Sequence, residues 1–422
     1  MAFYSGEEIK CENLDPDFHR SQFKSVFKLN HSKGYLTNMR LVNLGLNIDS
    51  DNGGSSSGNL PIYNVMAGVN GAIKHIRLMD GKQELSSQRH ANIWSAWKGI
   101  NMSNDKADSQ DIYLTKQNGG FLNNVAEFVD NFGDNDCVIK PVASRNDANE
   151  GYVDLKKLLP LLNSMDYLDT DLFTDLKIEI EYETRKVNLG VEISKTYSNS
   201  NPVLVVDLVQ DDGTQNNLRK AQRNNVVWQE YEHDAFVLGS SNGSLQSPQN
   251  FRVRGFDNKM LNRILMVKTG LVDTDYQDST SDAPRVLVKK GGALSSLVNF
   301  EEKINFVVNG RNKLVGEGLT THSQVLSHLV DTWGEIQIGL GMNQVGLTDE
   351  IISAYGWDTG MLGYIGSYIG ENINDLQIRL GRNGQNNGGN ALFYNDAQLV
   401  HVFGEVSKVL SIKGNEYNIV YM

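Results

Sequence analysis

The feature that most constrains the fold is a short pattern that occurs twice, 200 positions apart. Residues 174–180 have the sequence TDLKIEI, and residues 374–380 have the sequence NDLQIRL. In both segments apolar and polar residues alternate, as a half-buried β-strand requires, because successive side chains point to opposite faces of a sheet. The separation is close to half of the 422 residues. The sequence therefore predicts one β-rich unit that is used twice.

Other segments have the composition of short strands between polar, turn-rich loops. They are residues 41–48, 73–79, 121–128, 136–142 and 176–183 in the first half, and 203–208, 251–256, 285–289, 304–308, 335–338 and 376–380 in the second. Short strands with long polar loops are typical of a β-sandwich or barrel rather than of alternating strands and helices. Two final runs, residues 406–412 and 417–421, flank the sequence KGNE. This arrangement predicts a β-hairpin at the end of the sequence.

A few short helices interrupt the predicted strands. Apolar residues at helical spacing favour a helix within residues 152–165, which Pro160 should end or kink. A second helix should end before Gly334, with Leu329 and Trp333 on its apolar face, and a third could begin at Thr348. The Ser- and Asn-rich segment 197–202 is the predicted boundary. We therefore predict an N-terminal arm over residues 1–30, a first unit over 31–198 and a second unit over 199–422.

The overall composition argues against several classes of protein. The chain has 39 basic and 51 acidic residues and a net charge of −12, which disfavours extensive nonspecific contact with nucleic acid. Two cysteines, Cys11 and Cys137, are too few for a disulfide framework and indicate free thiols in a reducing compartment. The apolar runs are too short for a membrane span, and the first thirty residues lack the apolar stretch of a signal peptide. We expect no secretion.

Catalytic and nucleotide-binding motifs are incomplete. Residues 239–243, GSSNG, fit a nucleophile elbow, but the following residues 244–249 have the composition of a loop where that motif needs a helix. Residues 49–53, DSDNG, begin like a calcium-binding loop, yet its twelfth position is Leu60 instead of a glutamate. Residues 339–341, GLG, lack the further glycine of a dinucleotide-binding fingerprint.

The remaining chemically active residues are dispersed. The closest histidine pair, His322 and His328, would project from different sides of a helix, and no third ligand is nearby. Adjacent carboxylates at Glu301 and Glu302 fit a solvated face, although folding could bring together a glycosidase pair. We therefore predict no catalytic, cofactor-binding or metal-binding residues, no cofactor, and no enzymatic activity.

Two parts of the sequence carry a resemblance to a known family. Residues 152–162, YVDLKKLLPLL, and 172–182, LFTDLKIEIEY, resemble the end of the first jelly roll in double jelly-roll major capsid proteins, especially those of virophages and polinton-like viruses. Residues 399–410, LVHVFGEVSKVL, with the terminal hairpin, are similar to the closing strands of that family. The resemblance implies an all-β fold with short helices, built from two tandem eight-stranded jelly-roll sandwiches.

The resemblance also implies a function. Three chains would form a pseudo-hexagonal capsomer, and capsomers would tile an icosahedral shell. The expected partners are two further copies of the chain, neighbouring capsomers, minor capsid or penton proteins, and an internal membrane or the genome on the inner face, with no small-molecule substrate. The protein would be located in the virion after synthesis in the host cytoplasm or a viral factory. The arm over residues 1–30 would lie on the inner side of the shell and tie neighbours together.

Two alternatives remain open from the sequence. One is a tandem jelly roll that binds carbohydrate or cleaves glycosides, in which the five tryptophans would stack on sugar rings; they are Trp94, Trp97, Trp228, Trp333 and Trp357. The other is a minor capsid or penton protein. Such proteins usually have one jelly roll per chain, so the repeat argues against this second alternative.

Overall fold

The computed structural model describes residues 7–11, 13–14, 23–29, 34–44, 46–48, 68–100, 151–185, 197–199, 202–210, 213, 225–239, 248–271, 302–320, 322–334, 364–382, 397–414 and 416–422. Across these ranges the backbone forms mainly β-strands, with a few short helices. None of the helices in these ranges is long and apolar enough to cross a membrane.

The first half contains eleven of the described strands. They are β1 (Glu7–Cys11), β2 (Lys24–Lys28), β3 (Tyr35–Leu44), β4 (Leu46–Ile48), β5 (Ile73–Asp80), β6 (Gln83–Arg89), β7 (Gly151–Asp154), β8 (Leu168–Asp169), β9 (Leu176–Tyr182), β10 (Tyr197–Asn199) and β11 (Val203–Val209). Two α-helices accompany them, α1 (Ala91–Ile100) after β6 and α2 (Pro160–Ser164) after β7. Short 3-10 turns occur at Gly68–Ala72 and Leu155–Lys157.

The second half continues the described strands with longer elements. They are β12 (Val226–Leu238), β13 (Gln249–Val253), β14 (Met260–Gly270), β15 (Glu302–Val308), β16 (Arg311–Asn312), β17 (Tyr364–Asn372), β18 (Leu376–Arg382), β19 (Gln398–Lys413) and β20 (Glu416–Tyr421). Helix α3 (His322–Trp333) follows β16. Gly334 ends this helix with a φ of 91°, and its N–H donates to the Val330 carbonyl at 2.8 Å, as is common at helix C-termini.

The two halves have the same strand order. In the first, one sheet runs β1-β11-β3-β7 and the other β2-β9-β5-β6. In the second, the corresponding sheets run β12-β19-β14-β17 and β13-β18-β15-β16. Each half thus has eight main strands in two four-stranded antiparallel layers, while β8 and β20 extend one sheet in each half and β4 pairs with β10. This confirms the prediction of two tandem eight-stranded jelly rolls.

The repeated sequence pattern occupies the same place in both jelly rolls. Strand β9 lies between β2 and β5, and β18 lies between β13 and β15. Leu176, Ile178 and Ile180 are fully buried in the first core, and Leu376 and Ile378 are fully buried in the second. The alternation is therefore repeated because both strands are central in their sheets and present one face to a core.

The N-terminal segment is not a separate arm where the structure describes it. Strand β1 pairs with β11, and β2 pairs with β9, so each is an edge strand of a sheet in the first jelly roll. The side chains of Cys11 and Phe27 are fully buried. The mixed charge of these segments is typical of edge strands, where one face meets solvent and the other packs on the core.

The division between the units differs from the one predicted at residues 198 and 199. Strand β11 lies between β1 and β3, so Val203–Val209 belongs to the first jelly roll. Strand β12, which begins at Val226, is the first strand of the second. The Ser- and Asn-rich segment 197–202 contains β10, which pairs with β4, and it precedes β11. Composition suggested a boundary there, whereas strand pairing identifies β11 as the last strand of the first unit.

Pro160 begins a helix, although the sequence suggested that it would end or kink one. The predicted helix over residues 152–165 is divided into β7, a 3-10 turn and α2, with Pro160 in the first turn of α2. A backbone N–H in the first turn of a helix has no acceptor within the helix. Proline lacks this N–H, so no helical hydrogen bond is lost at that position. Leu159 before it is extended, with φ −111° and ψ 103°, which is the conformation that a following proline favours.

Several other predictions can be compared directly. The strands at residues 73–79, 176–183, 203–208, 304–308 and 376–380 are confirmed, as is the terminal hairpin, in which Lys413 pairs with Glu416. Strand β13 begins and ends earlier than the predicted 251–256, and residues 41–48 are divided between β3 and β4. The predicted strands at 121–128, 136–142, 285–289 and 335–338 and the helix start at Thr348 lie outside the described residues.

Candidate functional site

The two jelly rolls are joined through the long strands β12 and β19. Trp228 on β12 and Leu410 on β19 are part of the hydrophobic core of the first jelly roll, and partly buried residues nearby pack against it, namely Val226, Ile412, Tyr417 and Ile419. These strands of 13 and 16 residues extend beyond the core of their own unit. We call the contact of β12, β19 and β20 with β5, β6, α1 and α2 the seam.

A buried carboxylate links the two units at the seam. Glu230 on β12 has a side chain that is 1% exposed. Its oxygens accept hydrogen bonds from the Ser87 backbone N–H at 2.8 Å and the Ser86 hydroxyl at 3.1 Å, both on β6, and from the Trp228 indole N–H at 2.6 Å. The donors on β6 belong to the first jelly roll and the carboxylate to the second, so this group fixes their relative position.

Lys408 on β19 completes this buried polar group. Its ammonium nitrogen lies 3.9 Å from Glu230 and 3.3 Å from Glu232. Burial raises the pKa of Glu230, against the opposing effects of Lys408 and the hydrogen-bond donors. Burial alone would lower the pKa of Lys408, but the two carboxylates outweigh it and raise that pKa above its usual value. Lys408 is therefore charged at neutral pH and is shared between two acidic side chains.

Aromatic side chains fill the part of the seam beside helix α1. The ring of Trp94 lies 4.2 Å from Tyr231, 5.4 Å from Phe403 and 5.7 Å from Trp333, measured between centroids. Trp97 lies 6.5 Å from Trp333 at an edge-to-face angle of 83°. These side chains come from α1 in the first jelly roll and from β12, β19 and α3 in the second. Such pairs contribute about 0.5–1.5 kcal/mol each beyond the area that they bury.

Three histidines meet next to this aromatic group. His90 precedes α1, His233 is on β12 and His401 is on β19, and one ligand nitrogen from each lies within 4.8 Å of the others. Nε2 of His233 is 3.0 Å from Nδ1 of His401. His401 is fully buried, and its Nε2 has no hydrogen-bond partner among the described residues.

The environment keeps these imidazoles uncharged. Burial lowers the pKa of His90 to about 4, with smaller contributions from nearby charges. Burial also lowers the pKa values of His233 and His401 well below the usual range, and the other histidines of the group add to this effect. At neutral pH all three rings are therefore neutral, and each has one nitrogen lone pair that can accept a hydrogen bond or bind a metal ion.

The histidine group was not visible in the sequence. His233 and His401 are 168 positions apart, and the histidines appeared dispersed because ligand spacing along the chain is informative only when one loop or helix carries the ligands. The alternation within β19 placed His401 on the face opposite Val400 and Val402, but it could not show what covers that face. His328 on α3 is not a member of the group, and the side chain of His322 lies outside what the structure describes.

The tryptophans do not form an exposed platform. Trp94, Trp97, Trp228 and Trp333 are between 0% and 5% exposed, and the indole N–H of Trp333 donates to the Ile264 carbonyl at 2.9 Å. Stacking on a sugar ring requires an accessible aromatic face, so these four side chains cannot serve the carbohydrate-binding alternative without unfolding the seam. Trp357 lies outside the described residues.

The other sequence motifs lie largely outside the described residues. Gly239 ends β12 at an exposed position, and the rest of its GSSNG motif lies outside the described residues. The same holds for the DSDNG segment at 49–53, for the GLG segment at 339–341 and for Glu301. Cys11 is buried and free, and burial raises the pKa of its thiol to about 11. Cys137 lies outside the described residues.

No protein-family model matches the sequence, and no curated protein matches it. Solved structures do match over the whole chain. PBCV-1 VP54, fitted into a reconstruction of the virophage Sputnik, has a TM-score of 0.55 and 10% sequence identity, and the match covers 100% of this chain and 98% of that one. The mavirus major capsid protein has a TM-score of 0.54 and 9% identity, with 100% and 92% covered.

A chain from the cryo-electron-microscopy structure of the Sputnik virophage is also similar, with a TM-score of 0.52, 9% identity, and coverage of 100% of this chain and 90% of that one. At sequence identities near 10% the similarity is one of fold and not of individual residues. Together with the repeated strand order of the two halves, these matches show that the chain has the double jelly-roll fold of viral major capsid proteins.

Proposed function

We propose that this chain is a viral major capsid protein whose trimers form pseudo-hexagonal capsomers that tile an icosahedral shell. The observation that carries the proposal is the equal strand order of two jelly rolls joined in one chain. Three copies around an axis would present six similar units, and a six-sided outline packs without gaps on a surface. The role is structural, and no catalytic step is part of it.

Two further observations support this assignment. The similarity to the mavirus major capsid protein spans 100% of the chain, so it includes both jelly rolls. The buried seam, with its carboxylate, aromatic and histidine groups, would hold the pair of jelly rolls together as one building block. Burial of four tryptophans disfavours the carbohydrate-binding alternative.

The proposed partners follow from the tiling. They are two other copies in the trimer, neighbouring capsomers, minor capsid or penton proteins, and a membrane or the genome on the inner face. Trimer contacts of this permanent kind often bury more than about 2,000 Å². The protein would be located in the virion, after synthesis in the host cytoplasm or a viral factory.

The test is the mass of the purified protein, measured by light scattering after size exclusion over a wide range of concentrations. A species of about 141 kDa, three times the 47.0 kDa of one chain, that persists on dilution is expected. Electron microscopy of that species should then show a pseudo-hexagonal outline. A species that remains at 47.0 kDa at every concentration would contradict the proposal, and glycan binding would then be measured on the same sample.

A further inference from the structure

We propose that His90, His233 and His401 bind one divalent transition-metal ion of the zinc class, and that this ion ties the first jelly roll to the second. The site would have three imidazole ligands and one position open to water. It rests on the geometry of a single chain, so it stands independently of the proposed capsomer.

The distances are close to those of a metal site. Zinc binds imidazole nitrogen at about 2.0–2.1 Å, so two ligands of a tetrahedral ion are roughly 3.3 Å apart. Nε2 of His233 and Nδ1 of His401 are 3.0 Å apart, and the three ligand atoms all lie within 4.8 Å of one another. Since the ligand atoms lie up to 4.8 Å apart, a movement of His90 by roughly 1.5 Å would complete the triangle.

The backbone holds two of these ligands firmly and leaves the third adjustable. His233 and His401 are on adjacent strands, where Ala235 pairs with His401 and His233 pairs with Phe403. They therefore share one face of the sheet as diagonal neighbours. His90 lies in the turn between β6 and α1 with a φ of 49°, and its ring is only partly buried. Its ring can thus move toward the two fixed ligands.

The type of ligand in the group favours a transition metal of intermediate softness, such as zinc. Imidazole binds a metal ion through the lone pair of a neutral ring nitrogen. No carboxylate belongs to the group, which disfavours calcium and magnesium, whereas neutral imidazole suits zinc, copper, nickel and cobalt. Partial exposure of His90 and His233 provides the route by which an ion and its water would enter.

The position of the site gives the ion a structural role. His90 belongs to the first jelly roll and the other two ligands to the second, so one ion would crosslink segments that are distant in sequence. Because the unfolded chain has no preformed site, the binding free energy would add to the stability of the joined units. The aromatic group beside α1 would shield the ion from solvent on one side.

The test uses the purified full chain after exhaustive dialysis against a chelator. Titration with Co²⁺ should produce the visible absorption bands of a four- or five-coordinate ion and saturate at one ion per chain, and Zn²⁺ should displace it. At Zn²⁺ about 100-fold above its Kd, the thermal midpoint should rise by about 3 °C. A chain that shows neither the bands nor a shift of the midpoint would overturn the proposal.

Two variants separate this site from other metal-binding surfaces. His90→Asn removes one ligand but retains a residue that tolerates positive φ and caps a helix well, and it should weaken Co²⁺ binding at least 100-fold. His328→Gln, on α3 outside the group, is the control and should bind as the original protein does. Both should match the original midpoint in chelator. Equal Co²⁺ affinity of His90→Asn and the original protein would refute the site.

Discussion

Replacing Glu230 by alanine tests whether one buried carboxylate fixes the two jelly rolls together. Its oxygens accept hydrogen bonds from the Ser87 backbone N–H at 2.8 Å and the Trp228 indole at 2.6 Å. Alanine would leave both donors buried without an acceptor, and each such loss costs about 1–3 kcal/mol. The ammonium group of Lys408 would still be paired with Glu232 at 3.3 Å, so the charge of Lys408 would not be buried without a partner. We expect the free energy of unfolding to fall by about 3–5 kcal/mol.

The assay is urea unfolding monitored by tryptophan fluorescence, at one fixed protein concentration because assembly contributes to apparent stability. Glu230→Gln keeps an oxygen acceptor of the same size but adds an amide N–H₂ among donors, so we expect an intermediate loss of about 1–2 kcal/mol. Glu416→Ala, at an exposed position on β20, is the control and should change stability by less than about 0.5 kcal/mol. If Glu230→Ala matched that control, the carboxylate would not hold the seam.

Four further substitutions test other parts of the fold. Gly404→Ala would place a Cβ 2.3 Å from an aromatic carbon in the second core, so we expect a loss of about 1–3 kcal/mol and a lower thermal midpoint than the original chain. Leu176→Ala and Leu376→Ala remove fully buried side chains at equivalent positions; each should cost about 2–5 kcal/mol in urea unfolding, and a loss at only one of them would contradict their equivalence. Burial alone would raise the pKa of Glu179, but Arg77 and two lysines lower it below its usual 4.5. Its contribution is therefore present at neutral pH and lost as the pH falls through its lowered pKa, so Glu179→Gln should lower the midpoint at pH 7, and its difference from the original chain should shrink on acidification.

Local patterns predicted those elements whose environment is uniform along their length. Strand β9 alternates between buried and partly buried side chains over all seven residues, and β18 alternates over residues 376–380, because each has one face on a core. The terminal hairpin was predicted because its turn is only two residues long, with Gly414 at a φ of 66°. In these elements, contacts close in sequence decide the conformation.

Elements at the seam were harder to predict because their environment changes along the strand. On β12, Trp228 packs on the first core, whereas Leu238 packs on the second. On the opposite face of the same strand, Tyr231 meets Trp94 of helix α1. No single period describes a strand that meets two cores and a helix, so this strand was absent from the sequence-based prediction.

The sequence by itself determined that the chain is a β-rich protein built from one unit used twice, because alternation with period two and its recurrence are properties of neighbouring residues. Only the tertiary structure decided that β11 closes the first unit, that Glu230 bonds across to β6, and that His90, His233 and His401 meet. These outcomes depend on strands that pair across long separations in the chain. The partner of each strand depends on how whole sheets pack, and the spacing of residues along the chain does not reveal it.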